Sequence, residues 1–362
     1  MKAVHIVYSG LGGASSLVFS LIEADKKKKL KQEIIFTGPF ILKDYLIRSN
    51  NLKINYYWAK TIKFISFFFI YKLFVKILSS KPDIIILHNY FIIPCVIYKI
   101  FFKKIKIIYI NHTDRSYYHW RDKIIFIFKK YISNFVVLNK STYNFYIKNL
   151  NFPKSKIKII SNGINTNFFS RKFSKRKKFF KIGMACRVNK KRNYELIADS
   201  LDTKLLKNLN IKFSLAGTGE ELNNFNKKIQ RQKINHKVST EGLLNQEELK
   251  RWYNSLDLYV HASYGEGNSI SILEAMAMKI PVLGSDVPGI NNILESKKNL
   301  GLLFNNNVED LSEKINFFYN LKKKRRDKFT NIQYNFIQRE HNFKKTFAKY
   351  LSIIKNEKNS LT

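Results

Sequence analysis

The chain has 362 residues, 45% of them hydrophobic, with 65 Lys+Arg against 26 Asp+Glu for a net charge of +39. That length exceeds one ordinary core and fits two domains of roughly 150 to 200 residues. The composition excludes collagen-like, mucin-like and coiled-coil chains, and the two cysteines, Cys95 and Cys186, exclude a disulfide framework.

From the start of the sequence, "AVHIVYS" (3–9) reads as a strand that enters a glycine turn and a helix, "GLGGASSLVFSLIEADKK", rather than as a secretory leader. "QEIIFTG" is a second strand, and residues 60–79 read as an aromatic helix. Lys63, Lys72 and Lys76 interrupt that helix, so its longest uncharged run is the eight residues from Phe64 to Tyr71. A bilayer span needs about 20 apolar residues, which leaves an interfacial helix as the membrane reading. "KPDIIILHNY", "KIIYINHTD", "NFVVLNKS" and "KIKIISNGIN" continue the strand series. Such near-continuous apolar runs between helices indicate a parallel sheet covered on both faces. Ligands bind past the carboxyl ends of such strands, where Ser9, His88, His112, Ser141 and Asn162 fall.

Residues 1–165 are expected to form the first domain and 166–178, polar and basic, the linker. A second doubly wound series, 179–340, follows: "FFKIGMACRV", "NYELIADSL", "IKFSLAGTGEEL", "KVSTEGLL", "EELKRWYNSL", "DLYVHAS", a helix over 269–279 and "PVLGSD". Residues 341–362 read as a terminal amphipathic helix, a candidate to pack back on the first domain. The fold class is α/β with two doubly wound, Rossmann-like domains.

The basic charge is spread over both halves and is mostly lysine, with 12 arginines among the 65 cations. Coding bias is the first reading, because Lys, Asn, Ile and Phe are all abundant and share A/T-rich codons. Attraction to anionic lipid comes second and nucleic acid last, since no zinc finger, helix-turn-helix or RNP motif accompanies the charge. Neither cysteine has His or Cys nearby at metal-ligand spacing, so both read as small core residues in a reducing compartment.

"GEGNSISILEAMAMKIPVLGSD" (265–286) places Glu266 and Glu274 eight positions apart around a helix start. The amides of Gly267, Asn268, Ser269 and Ile270 and the helix dipole favour a phosphate there. A carboxylate beside such a site suits vicinal hydroxyls instead, through charge-assisted hydrogen bonds. Arg187, Lys191 and Arg192 follow the strand "IGMACRV", placed to neutralise a leaving diphosphate.

That block resembles the E-x7-E motif of the family-4 retaining glycosyltransferases, which have the GT-B fold. The resemblance covers nearly the whole chain, with nine motifs in order: "GLGGASSL", "DIIILHN", "YINHTDRS", "FVVLNKSTYNFYIKN", "PKSKIKIISNGIN", "RVNKKRNYELIADSL", "FSLAGTGEEL", "EGLLNQEELKRWYNSLDLYVHAS" and the E-x7-E block. It implies two Rossmann-like domains facing a central cleft. It also implies that Gly12 and Gly13 approach the donor, that His112 touches the donor sugar and that Arg187 contacts the diphosphate. By the same comparison Glu274 binds the ribose, Glu266 lies near the sugar, and Gly217 and Gly219 shape the base pocket. The turn Asn162–Gly163 is retained, while Ser161 and Asn165 replace the family's proline and aspartate. The family lysine five residues after the arginine is here Arg192, with Lys191 beside it; arginine is a planar fork rather than a compact ammonium.

The resemblance implies transfer of a hexose-type sugar from a nucleotide diphosphate sugar, UDP or GDP, to a saccharide acceptor, with retained configuration. His112 is a candidate general base and His88 a structural or acceptor-lining residue. No Asp-x-Asp pair occurs in the sequence, so metal-independent transfer is expected, with no cofactor beyond the nucleotide sugar as co-substrate. The expected acceptor is lipid-linked, in bacterial surface-polysaccharide assembly. The expected location is the cytoplasm, with an anionic membrane surface as candidate partner and no nucleic acid. Two alternatives stay open: a GT-B sugar-nucleotide epimerase and a non-enzymatic basic nucleic-acid-binding protein.

Overall fold

The computed structural model describes residues 1–61, 66–112, 120–171, 178–294 and 302–355. The chain divides into two compact units, 1–163 with 343–362, and 164–342.

In the first unit the elements are β1 (Lys2–Tyr8), α1 (Gly13–Ala24), β2 (Lys31–Gly38), α2 (Lys43–Asn51), β3 (Tyr56–Lys60), α3 (Phe67–Ser80), β4 (Ile84–Leu87), α4 (Ile92–Phe101), β5 (Lys106–Asn111), α5 (Trp120–Ile127), β6 (Asn134–Val137), α6 (Lys140–Leu150) and β7 (Ile157–Ile159). The strands form one sheet in the order β3-β2-β1-β4-β5-β6-β7, and every pairing is parallel. The order reverses between β1 and β4, which opens a crevice at the carboxyl ends of those strands. Both faces are covered, so β4 is buried throughout, as its unbroken Ile84–Leu87 run requires.

Two boundaries differ from the sequence reading. An unexpected strand, β3, occupies Tyr56–Lys60, and the aromatic helix begins only at Phe67. The Ser66 side chain accepts the Phe69 amide at 3.1 Å and caps the helix there, and Lys81 closes it in the left-handed conformation before Pro82. The start of the expected helix, 62–65, lies outside the described residues.

The second unit runs β8 (Phe180–Ala185), α7 (Tyr194–Ser200), β9 (Ile211–Ala216), α8 (Leu222–Arg231), β10 (Val238–Gly242), α9 (Gln246–Asn254), β11 (Leu258–His261), α10 (Ile270–Ala277), β12 (Val282–Ser285), α11 (Asn291–Leu294), β13 (Leu302–Phe304), α12 (Val308–Asn320) and α13 (Lys323–Glu340). Its six-stranded sheet has the order β10-β9-β8-β11-β12-β13, again parallel and reversing between β8 and β11. Phe169, from the segment expected as linker, is buried with Tyr253, Leu256 and Ile337 in this unit's core. Two adjacent phenylalanines, Phe168 and Phe169, favour that burial over a solvated linker. Residues 172–177 lie outside the described set.

The last helix, α14 (Phe343–Lys355), belongs to the first unit: Phe347, Tyr350, Leu351 and Ile354 share a core with Leu17 and Leu21 of α1 and Ile108 of β5. Among the described residues no helix is long and apolar enough to cross a membrane.

Candidate functional site

In the second unit the site forms where the sheet order reverses. Arg192 follows β8, and its backbone bridges to Ser263, just past β11. That bridge carries the guanidinium onto the loop before α10. Its Nη1 donates to Ser263 Oγ at 2.7 Å and to the Gly265 carbonyl at 3.1 Å, and its Nη2 lies 2.9 Å from Glu266 Oε1.

His261, the last residue of β11, reaches the same carboxylate oxygen at 2.9 Å through Nε2. A carboxylate only accepts, so Nε2 carries the proton, and the Tyr259 hydroxyl lies 3.1 Å from Nδ1. Burial pushes the Glu266 carboxyl up, but Arg192 and His261 outweigh it and hold the group below its ordinary value. Burial lowers His261 in turn, against the pull of Glu266, so the imidazole is neutral.

Glu266 is thus an ionised, clamped carboxylate whose described bonds all use Oε1. The loop under it closes tightly: Gly289 has φ +85°, and a β-carbon there would lie 1.7 Å from the Glu266 carbonyl.

Glu274 lies one helical turn into α10 and is only 8% exposed. Its Oε2 accepts the Tyr253 hydroxyl of α9 at 2.9 Å. Burial and this carboxylate push the Tyr253 phenol well above its usual range, so it stays a donor. The Tyr253 and Tyr259 rings lie 5.8 Å apart. The two glutamates are therefore joined through Tyr253, Tyr259 and His261, all of them buried.

Between them, Gly267, Asn268 and Ser269 lead into α10 at Ile270. Ser269 is the N-cap residue but makes no side-chain cap; its hydroxyl lies 3.1 Å from that of Ser271. The Ser269 side chain therefore gives the first-turn amides of α10 no cap.

The other expected residues of this unit make contacts outside that network. Arg187 is exposed and pairs at 3.5 Å with Glu220, and the described contacts do not bring it to Glu266 or Glu274. Lys191 is exposed too, and it is its backbone that takes part, with its carbonyl accepting Ser263 Oγ at 3.2 Å. Of the three cations, the fold brings Arg192 to the carboxylate. Gly217 and Gly219 let the turn after β9 press on the loop after β8: added β-carbons would lie 1.8 Å from the Cys186 carbonyl and 2.1 Å from that of Val188. Burial raises the Cys186 thiol to about 12, which leaves it inert.

In the first unit Gly12 caps α1, and a β-carbon on it would meet nothing within 4 Å. Asn162 is buried, and Gly163 admits α14: a β-carbon there would lie 2.7 Å from the Phe343 backbone. His112, just past β5, bonds to His88, which also bonds to the buried His5 of β1. His261, Tyr253, Tyr259 and His5 were not singled out from sequence. A polar residue ending a buried strand, as His261 does, is the one signal that pointed to it.

Comparison with known proteins follows these two units. The family model described as Glycosyltransferase Family 4 matches residues 11–168, and that described as Glycosyl transferases group 1 matches 165–336. A probable sucrose-phosphate synthase of Thermosipho melanesiensis is 25% identical over 60% of this chain and 51% of its own length. The O-antigen biosynthesis glycosyltransferase WclY of Escherichia coli is 26% identical over 44% of each chain. The chain thus spans about half the length of these curated relatives. The crystal structure of Anabaena Alr3699/HepE in complex with UDP and glucose superposes with a TM-score of 0.83, at 15% identity and covering 100% of both chains, a likeness of fold. Matched half by half by the two models, the chain belongs to the group 1 and family 4 glycosyltransferases of GT-B fold.

Proposed function

We propose that the protein transfers a hexose-type sugar from a nucleotide diphosphate sugar to a saccharide acceptor with retained configuration and without a metal ion. The observation that carries this reading is the buried network joining Glu266 and Glu274 across the start of α10. In it the α10 amides receive the diphosphate, and Glu274, oriented by Tyr253, accepts from the ribose hydroxyls. Glu266 keeps Oε2 for a sugar hydroxyl while Arg192 and His261 hold Oε1.

The bond from the anomeric carbon to the diphosphate breaks, and the acceptor oxygen bonds to that carbon on the same face. The acceptor proton passes to the departing phosphate oxygen, so catalysis is mainly positioning and stabilisation of the leaving diphosphate. Arg187, half-exposed, is a candidate diphosphate contact, and His112 one for a sugar hydroxyl. The HepE structure was solved with UDP and glucose, which favours a uridine donor. The similarity to WclY favours surface-polysaccharide assembly as the setting.

An anionic membrane surface is the proposed location of the acceptor. Phe67, Phe68 and Tyr71 on α3 and Ile100, Phe101 and Phe102 at the end of α4 are exposed, Phe67 to 87% and Phe101 to 72%. Lys72, Lys76, Lys103 and Lys104 flank them, the arrangement of an interfacial apolar patch with snorkelling cations.

A panel of UDP-glucose, UDP-galactose, UDP-N-acetylglucosamine and GDP-mannose, scored for saturable binding by calorimetry and then for product stereochemistry, tests the transferase reading. No saturable binding across the panel would sink it, as would an inverted product or activity that EDTA abolishes and Mn²⁺ restores. Product formed without an acceptor would favour an epimerase. Flotation with anionic and neutral liposomes at low salt tests the membrane surface.

A further inference from the structure

A second buried network crosses the first unit, apart from the carboxylates of the second. Asp25, in the turn after α1, accepts the Lys29 amide on Oδ1 at 2.8 Å and the Leu30 amide on Oδ2 at 3.0 Å. Gln32 on β2 donates from Nε2 to Asp25 Oδ2 at 3.3 Å, and its Oε1 lies 3.0 Å from His5 Nε2. His5 Nδ1 is 3.1 Å from His88 Nε2, and His88 Nδ1 is 3.0 Å from His112 Nε2.

Register explains the alignment. His5 pairs with Ile34 of β2 and with Ile86 of β4, so Gln32 and His88 lie two residues away on the same face. Leu87 pairs with Tyr109, so His88 lies beside Ile110, with His112 two residues further along. The chain thus steps diagonally by two residues per strand, from the turn after α1 to the carboxyl end of β5.

Each link fixes the next. A carboxylate only accepts, so the Gln32 nitrogen faces Asp25 and its oxygen faces His5. That oxygen accepts, so His5 carries its proton on Nε2 and a lone pair on Nδ1. His88 must then donate from Nε2, and His112 from its own Nε2 to His88 Nδ1. Burial keeps the rings neutral, lowering His5 and His112 to about 4 and His88 well below its ordinary value. Reversing one ring would set two donors or two lone pairs face to face in a dry site, so the direction is cooperative.

We propose that Asp25 and Gln32 are positioning residues that hold His112 in the Nε2–H tautomer, so that Nδ1 is presented as a hydrogen-bond acceptor for a sugar hydroxyl of the substrate. The hydroxyl half rests on the transferase reading above; the tautomer half does not.

The test is a long-range ¹H–¹⁵N correlation spectrum of the full-length, ¹⁵N-histidine-labelled chain at pH 7.5, assigned by single His→Asn variants. His5, His88 and His112 should all appear as Nε2–H tautomers, and an Nδ1–H signal at His112 would overturn the proposal. Gln32→Leu removes the acceptor and should leave His5 and His112 as mixed tautomers. Gln32→Glu, sharing one proton with Asp25, should keep the wild-type pattern; Gln32→Leu spectra identical to wild type would refute the anchor. With the donor chosen by the panel, Gln32→Leu should lose at least tenfold in kcat at a donor KM within twofold, recovered in Gln32→Glu. Tautomers reset without change in kcat would overturn the hydroxyl half and remove His112 from the proposed transfer, leaving the anchor standing. Should Gln32→Leu fail to fold, the wild-type and Gln32→Glu spectra still decide.

Discussion

Replacing Arg192 by methionine keeps the aliphatic stem and removes the charge that clamps Glu266. At 2.9 Å and an effective dielectric near 20, the pair's gross Coulomb attraction is about 6 kcal/mol. Much of that is offset by desolvation. Breaking one side of a buried pair costs about 3–5 kcal/mol, because the other charge is left stranded. Here the two side chains remain 20% and 15% exposed, so about 2–3 kcal/mol is the appropriate range.

The cost should also depend on pH in a defined direction. Burial lowers His261, and Arg192 adds to that against the pull of Glu266; without the arginine the lowering is smaller. A lowered folded-state pKa contributes stability that is complete above the unfolded value and lost as pH falls through the folded one, and a smaller lowering has less to lose. The R192M penalty should therefore be smaller at pH 6 than at pH 8, because the parent loses more stability on acidification than the variant does. The assay is urea unfolding of the full chain followed by Trp252, buried in the second unit, in a Trp58→Phe, Trp120→Phe background. A variant within about 0.5 kcal/mol of its parent at pH 8, or a penalty that grows on acidification, would refute the clamp.

Glu274→Ala should weaken binding of UDP by at least about 100-fold by calorimetry, since two charge-assisted hydrogen bonds to ribose are each worth about 1.5–3 kcal/mol; unchanged affinity would remove the ribose assignment. Gly217→Ala, with φ +134° and a β-carbon 1.8 Å from the Cys186 carbonyl, should cost about 2–4 kcal/mol in thermal or urea unfolding, because neither backbone segment can yield cheaply. The buried His5, lowered to about 4 mainly by burial, binds fewer protons folded than unfolded between pH 6.5 and 4. Its contribution is complete above that window and lost below it, so the first unit should lose about 3 kcal/mol between pH 7 and pH 4, and His5→Asn should flatten that slope. Lys233, which follows α8 with φ +55°, carries left-handed strain that Lys233→Gly should relieve, for a gain of about 0.5–1 kcal/mol in urea unfolding.

How much of this was legible in the sequence follows from which physical signal each element carries. β4 was readable because a strand buried on both faces must be apolar at every position, and Ile84–Leu87 is. β3 was missed because an edge strand has one covered side, and only Ala59 of Tyr56–Lys60 is buried. The 18-residue α13 was missed for a related reason: only Thr330, Gln333 and Ile337 are buried, too sparse and too polar a stripe for periodicity to show. The E-x7-E spacing was readable because both carboxylates lie on one continuous loop and helix. Their partners were not: Arg192 and Glu266 are joined by the bridge between Arg192 and Ser263, which no local pattern encodes.

The histidine chain shows where that limit lies. Its links span 27, 83 and 24 residues, so no window along the sequence contains them. Yet its geometry needs only two rules, the two-residue alternation of side chains along a strand and the register of β2, β1, β4 and β5. The first rule is written in any sequence. Register is decided by which apolar side chains interdigitate between sheet and helices, and a one-residue slip of β1 would turn His5 to the opposite face and break the chain at its centre. Strand ends mark where a site lies, since the backbone order alone fixes them. Which strand-end side chains touch, and in which protonation state, is a property of register, and it becomes readable only once the sheet is assembled.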